Sequence, residues 1–300
     1  MATKVRAPDG RVAGAATRAR RVPSPAGAGR RQWWIYAVLV VGLVIVAGPF
    51  LWMLVSSFKT DAELRRVPPT LLPAAGTLAN YRELFQRLDF PRYFANSLIV
   101  ACAVTLGNLA FCSMVGYALA KIQFPGRRVL FLLILGTLMV PGMVLLVPLF
   151  VLVSNLGLVN TLPGMFLPFM AGPFGVFLMR QYIAGLPDEL IDAARVDGAG
   201  EPRIYTRVIL PLIGPALATL GILTFLASWN NFLWPLIVAQ TEDRYTLPVA
   251  LALFSVGPSP YATRYGLLLA GSVVVVLPVL AVFVALQRYF VRGIATTGLK

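Results

Sequence analysis

The stretch Leu186–Pro215, LPDELIDAARVDGAGEPRIYTRVILPLIGP, carries five of the chain's 12 acidic residues: Asp188, Glu189, Asp192, Asp197 and Glu201. It lies between two long apolar runs, and its punctuation predicts two short helices and a turn. Pro187 suits a first helical position, and Asp188 and Glu189 suit a first turn, where negative charge meets the positive end of the helix dipole. Asp197-Gly198 supplies a stop, because glycine accepts the left-handed backbone that helix ends often need. Pro202 opens a second helix, and Pro211 ends or bends it. A connection between membrane spans has no need of this order, so the stretch reads as a docking element for another protein.

The flanking sequence demands a membrane. Of the 300 residues, 58% are hydrophobic and 13% charged, against roughly 45–50% and about 25% in soluble domains. Six apolar runs are long enough to cross: Trp33–Phe58, Tyr93–Ala120, Val129–Val153, Thr161–Met179, Leu212–Val238 and Tyr265–Leu286. A crossing takes about 20 residues, and none of the six contains Asp, Glu, Lys or Arg. The expected fold is therefore all-α, a polytopic membrane protein with six transmembrane helices. The first run is longer than a signal h-region and reads as a retained span.

The formal charge of +14 is unevenly placed. Eight basic residues (Lys4, Arg6, Arg11, Arg18, Arg20, Arg21, Arg30 and Arg31) precede the first run, with Asp9 the only acid among them. That pattern puts the N-terminus in the cytoplasm. It argues against nucleic acid as the partner and leaves contact with lipid headgroups as a secondary role for the tail. Residues 1–31 show no hydrophobic period and are expected to be disordered. Six-span topology then places the acidic loop and the C-terminus, with Arg288, Arg292 and Lys300, on the cytoplasmic side. Lys59–Arg92 and Gln240–Arg264 become the longer outer connections. Within the first of these, Leu78–Leu88 reads either as a short amphipathic helix on the surface or as plain linker.

Catalytic chemistry is missing. The sequence has no GxxxxGK[ST], so nothing in it cradles ATP by a P-loop. It has no His, and Cys102 and Cys112 lack the spacing of a metal or redox pair. No catalytic residue, metal site or cofactor is expected in this chain. No acid lies inside an apolar run, which argues against proton coupling. Sodium coupling through backbone carbonyls stays open as an alternative. So does a membrane-embedded glycosyltransferase, although its paired carboxylates could come only from the acidic loop.

Two groups of residues are candidates for function. In the loop, Leu190, Ile191 and Ala194 form an apolar face at i, i+1, i+4 spacing, which packs either on a partner or on the chain's own cytoplasmic surface. Ala193 and Ala194 reflect either close approach to a partner or simple helix propensity. In the fifth run, Ser228-Trp229-Asn230-Asn231 and Trp234-Pro235 set amides beside aromatic rings. The amides of Asn230 and Asn231 either bond neighbouring helices or, with Trp229 and Trp234, touch a sugar, which has apolar faces and polar edges. Pro141-Gly142, Pro148, Pro163, Pro168 and Pro173 favour packed helices that line a cavity.

Asp192-Ala193-Ala194, Gly198 and Val208-Ile209-Leu210-Pro211 together resemble the EAA loop of ABC-importer permeases, whose pattern is Glu-Ala-Ala, three residues, Gly, nine residues, Ile-x-Leu-Pro. The chain departs from it at Asp192 and Val208. Asn96-Ser97-Leu98, Phe124-Pro125-Gly126-Arg127-Arg128, Pro141-Gly142, Ser228-Trp229-Asn230-Asn231 and Gln287-Arg288-Tyr289-Phe290 add a resemblance to the carbohydrate-uptake branch, MalG type. The resemblance runs from about Trp33 to the C-terminus. It implies the type-1 importer permease fold, with residues 32–92 as first span and outer loop and 93–292 as the five-helix transmembrane domain. Residues 183–215 would be its coupling loop, and 293–300 a cytoplasmic tail. It implies a bacterial inner-membrane subunit that works with a second permease, two ATP-binding subunits holding ATP and magnesium, and an extracytoplasmic solute-binding protein. Residues 186–211, with Leu190, Ile191, Asp192, Ala193, Ala194, Asp197, Gly198 and Pro211, would couple to the ATPase. The acid that such permeases often carry at the position of Asn231 is missing here.

Overall fold

A computed structural model of the chain describes residues 33–255 and 264–297, without the side chains of residues 87, 255 and 286–297. The basic tail, residues 298–300 and residues 256–263, within the expected outer connection Gln240–Arg264, therefore lie outside what is described, as do the side chains of the Gln287-Arg288-Tyr289-Phe290 motif. Every element among the described residues is helical.

The chain divides into two units, up to Phe50 and from Leu51 onward. The first unit contributes helix from Trp33, and the same helix continues through Pro49 to Ser56. Val44, Ile45 and Val46 are exposed along it. An apolar helix bare on all sides is suited to lipid rather than water.

The second unit holds the remaining spans. Phe90–Lys121 and Tyr265–Ala285 are each long and apolar enough to cross unaided, as is Trp33–Ser56. Two bent pairs raise the number among the described residues to at most 5: Leu162–Phe169 with Pro173–Ala184, at 41°, and Glu201–Leu212 with Gly214–Trp229, at 79°. The expected count of six is not reproduced. The third run is the one that fails, because its helix stops at Thr137 and resumes only at Leu146. Pro141-Gly142 lies in the gap, where proline supplies no N–H and glycine adds freedom. The fifth run is shorter than expected. Its helix ends at Trp229, so Asn230 and Asn231 occupy a break before Leu233–Val238.

The Lys59–Arg92 connection, expected on the outer side, is folded. Lys59 is buried over the Trp52 ring, 4.3 Å from its centroid, and its ammonium donates to the Thr70 carbonyl. The Glu63 carboxylate accepts from Thr70 Oγ1 at 2.7 Å and from the Ala74 N–H at 2.9 Å. Buried charges persist when they are bonded in this way. The Leu78–Leu88 stretch forms the helix Ala79–Arg87, and its Leu84 is fully buried in a core shared with Leu267 of the last helix. The stretch is thus the short helix of the first reading rather than plain linker, with Leu84 buried on protein and Phe85 exposed. On the second span, Asn96 Nδ2 donates to the carbonyls of Asp243 and Tyr245, both at 3.0 Å. Ser97 Oγ accepts from the Leu247 N–H at 2.8 Å. The Asn-Ser motif therefore ties the start of the second span to the segment before the last helix.

Candidate coupling loop and membrane cavity

The acidic stretch folds as two helices joined by a turn. The first runs Glu189–Val196, two residues later than Pro187 suggests, with Asp188 as its cap residue. Its end is a complete Schellman motif: the Gly198 N–H donates to the Arg195 carbonyl, the Ala199 N–H to the Ala194 carbonyl, and Gly198 has a φ of 81°. The second helix opens at Glu201 with Pro202 in its first turn. It passes through π-helical turns at Tyr205–Ile209 before Pro211, and the 79° bend follows directly.

One face of Glu189–Val196 belongs to the chain itself. Ile191 is 2% exposed and packs in a core with Tyr117, Met179 and Ile204, and Ala194 is half-buried against it. This corrects the expectation that Leu190, Ile191 and Ala194 share one docking face. The outward face carries Leu190, Ala193 and Val196, with Glu189, Asp192 and Asp197 around them. Val196, 88% exposed, was missed by the sequence reading. The i, i+3, i+6 spacing of Leu190, Ala193 and Val196 was the available signal. Gly198 and Pro211 are also exposed.

The second span holds this loop from behind. Lys121 Nζ donates to Asp188 Oδ1 and to the Leu186 carbonyl, both at 2.6 Å. Tyr117 Oη donates to Glu201 Oε2 at 2.5 Å. Ser113 Oγ lies 2.7 Å from Tyr205 Oη. Arg195 reaches Glu201 Oε1 at 2.9 Å and Asp192 Oδ1 at 3.4 Å. The Tyr117 hydroxyl, then the Arg195 guanidinium, draw the Glu201 carboxyl below its ordinary pKa, against an opposing effect of burial. The Glu201 carboxylate in turn raises Arg195.

The same span is interrupted at Asn108–Cys112 by a π-helical segment. Asn108 donates through Nδ2 to the Val104 and Phe169 carbonyls, and its Oδ1 accepts from the Gly172 N–H at 3.0 Å. One amide thus satisfies backbone freed at the break in the fourth span, the condition for such a break inside a membrane. Asn108 was also missed by the sequence reading, although a lone amide deep in an apolar run is itself a signal.

A cavity of 270 Å³ opens at this level, lined by Asn108, Phe169, Gly172, Thr224, Ser228 and Asn231 among others. Of the residues expected to touch substrate, only Asn231 lines it. Asn230 is exposed and bonds the Leu226 carbonyl of its own helix. Trp229 is 1% exposed, stacked on Phe225, with its N–H on the Val275 carbonyl. Trp234 is buried, with its N–H on the Gly164 carbonyl, and lines a separate pocket. A buried indole with its N–H satisfied is a packing residue, which corrects the placing of Trp229 in the substrate pathway. Among the described residues no group of acids and cysteines could hold a metal ion.

Residues 112–296 match the family described as binding-protein-dependent transport system inner membrane component. The chain belongs to that family. It is 43% identical to the arabinooligosaccharides transport system permease protein AraQ of Halalkalibacterium halodurans, over 88% of this chain and 96% of that protein. It is 36% identical to the diacetylchitobiose uptake system permease protein NgcG of Streptomyces coelicolor, over 84% of each chain. A chain in the crystal structure of a bacterial ABC transporter that imports the acidic polysaccharide alginate superposes with a TM-score of 0.76 at 25% identity, covering 90% of this chain and 100% of that one. This inner membrane component thus has the ABC-importer permease fold, and it is a multi-pass transport permease.

Proposed function

We propose that the chain forms half of the translocation path of an ATP-driven sugar importer, beside a second permease. Two ATP-binding subunits carry ATP and magnesium, one of them gripping the 186–211 loop, and an extracytoplasmic solute-binding protein delivers the sugar. Both ends of the chain are cytoplasmic. The observation that carries this reading is the loop helix whose rear face is locked into the chain and whose outward face exposes Leu190, Ala193 and Val196. A helix held this firmly, with small and apolar groups outward, is built to be seized and moved. The sugar reading is supported by the likeness to AraQ and NgcG, which are named for arabinooligosaccharide transport and diacetylchitobiose uptake. No observation favours sodium coupling or glycosyl transfer over it.

The cavity is the proposed sugar contact of this subunit, through the Asn231 amide and Ser228 hydroxyl beside the Phe169 ring. Replacing Asn231 with Leu is expected to raise the half-saturating sugar concentration about tenfold, the scale of one lost polar contact in a site built for it. Asn230→Leu is expected to change it less than about twofold. Uptake assayed across a panel of arabinose-, glucosamine- and galactose-based oligosaccharides checks this. Equal kinetics for wild type and Asn231→Leu on every transported sugar would remove the cavity from the path.

A further inference from the structure

We propose that Tyr117 and Glu201 are the positioning pair through which movement of the loop enters the second span. This rests on the loop being the ATPase contact. Ser113, Tyr117 and Lys121 stand at i, i+4, i+8 on one helical face, and each bonds a different part of the loop. The three ties are unequal. Asp188 is 75% exposed in its pair with Lys121, against 40% for Glu201, so water and salt screen that contact more. Ser113 and Tyr205 are both neutral, and a bond to an ionised group is about twice as strong. Tyr117 is 4% exposed and donates to a carboxylate.

Among the described residues, that carboxylate alone joins both loop helices. Glu201 opens the second helix, and its other oxygen is held by Arg195 of the first at 2.9 and 3.2 Å. Arg195 also touches Asp192 on the outward side. An unbroken polar line therefore runs Asp192, Arg195, Glu201, Tyr117, from the exposed surface of the loop into the span.

The span is prepared to receive the push. Its segment Ser113–Lys121 begins where the π-helical turns at Asn108–Cys112 end. Such turns are where helices bend. Asn108, at the first of them, forms part of the cavity wall. Tilting Ser113–Lys121 through Tyr117 moves that wall, and the Asn108 amide carries the break in the fourth span with it.

The test uses the whole complex in liposomes: this chain, its second permease, the ATPase subunits and the binding protein. The readout is sugar imported per ATP hydrolysed. Tyr117→Phe deletes one oxygen and is expected to lower that ratio about tenfold, the scale of a lost bond to a charged group, with the amount of assembled complex unchanged. Glu201→Leu should fall as far, while Glu201→Gln, which still accepts from the tyrosine, keeps more than half of the wild-type ratio. The double variant Tyr117→Phe/Glu201→Leu should be no worse than Glu201→Leu alone, because that single has already lost the tyrosine contact along with the Arg195 one. An unchanged ratio in Tyr117→Phe and Glu201→Leu would overturn the pair, and so would losses that multiply in the double variant. A drop in assembled complex at constant ratio would also overturn it, reducing the pair to a structural brace. Wild-type uptake that needs no ATP would overturn the ATPase reading itself, and the pair's role with it.

Discussion

Gly198→Val is expected to cut ATP-driven uptake about ten- to thirtyfold, while Gly198→Asn stays within about threefold of wild type. The cause is the backbone. Gly198 sits at φ 81°, and a side chain there would meet nothing within 4 Å in this chain. Left-handed backbone costs an ordinary residue roughly 1–2 kcal/mol, and a β-branched one more. Each 1.4 kcal/mol is about tenfold in an equilibrium. Valine therefore unwinds the helix end and misplaces Val196 and Asp197, whereas Asn tolerates the conformation. Uptake in vesicles and the amount of ATPase subunit that co-purifies are the measurements. Equal uptake for glycine and valine would show that the geometry of this turn is irrelevant to transport.

Gly116→Val is expected to act on the fold instead. A Cβ at Gly116 would stand 2.8 Å from Met179 Cβ and 2.9 Å from the Arg180 backbone nitrogen. The second span has further close approaches of this kind: a Cβ at Gly107 would lie 2.6 Å from Met170 Cβ, and one at Gly175 would lie 2.7 Å from Cys112 Sγ. Small residues let membrane helices approach until backbones touch. Backbone cannot rotate away from an added methyl, so the cost falls at or above the upper end of overpacking, about 3 kcal/mol. The thermal midpoint in detergent should fall by roughly 10 °C. Gly42→Val, where the added atom meets nothing within 4 Å, should leave the midpoint unchanged. Unfolding followed by tryptophan fluorescence decides it, and matching midpoints for Gly116→Val and wild type would mean that the two spans are not packed this closely.

The membrane class and the loop were legible because their signals are local. Uncharged apolar runs, a helix stop at Gly198 and a bend at Pro211 follow from neighbouring residues alone. The side of the loop helix that faces a partner was not legible. Ile191 and Ala194 point one way and Leu190, Ala193 and Val196 another, and both sets are apolar, so composition does not choose between them. The choice is made by Tyr117, Met179 and Ile204, which come from elsewhere in the chain. The tryptophans misled for a related reason. Trp229 and Trp234 sit beside amides in sequence, yet their N–H groups find the carbonyls of Val275 and Gly164, partners 46 and 70 residues away. Asn108 likewise acquires its meaning from Gly172, across a packed interface that no local pattern describes. The third run does not form one long helix because Pro141-Gly142, which composition alone allows inside a span, falls where the helix breaks between Thr137 and Leu146.

The central claim is that transport through this chain is driven mechanically, through the 186–211 loop, by a separate nucleotide-hydrolysing subunit. The direct measurement is sugar accumulation in liposomes holding both permeases, the binding protein and sugar, with and without the ATPase subunits and ATP. Accumulation against a gradient only when ATPase and ATP are both present, and its loss in Gly198→Val, is the predicted result. Uphill accumulation by the permeases in the absence of the ATPase would contradict the account.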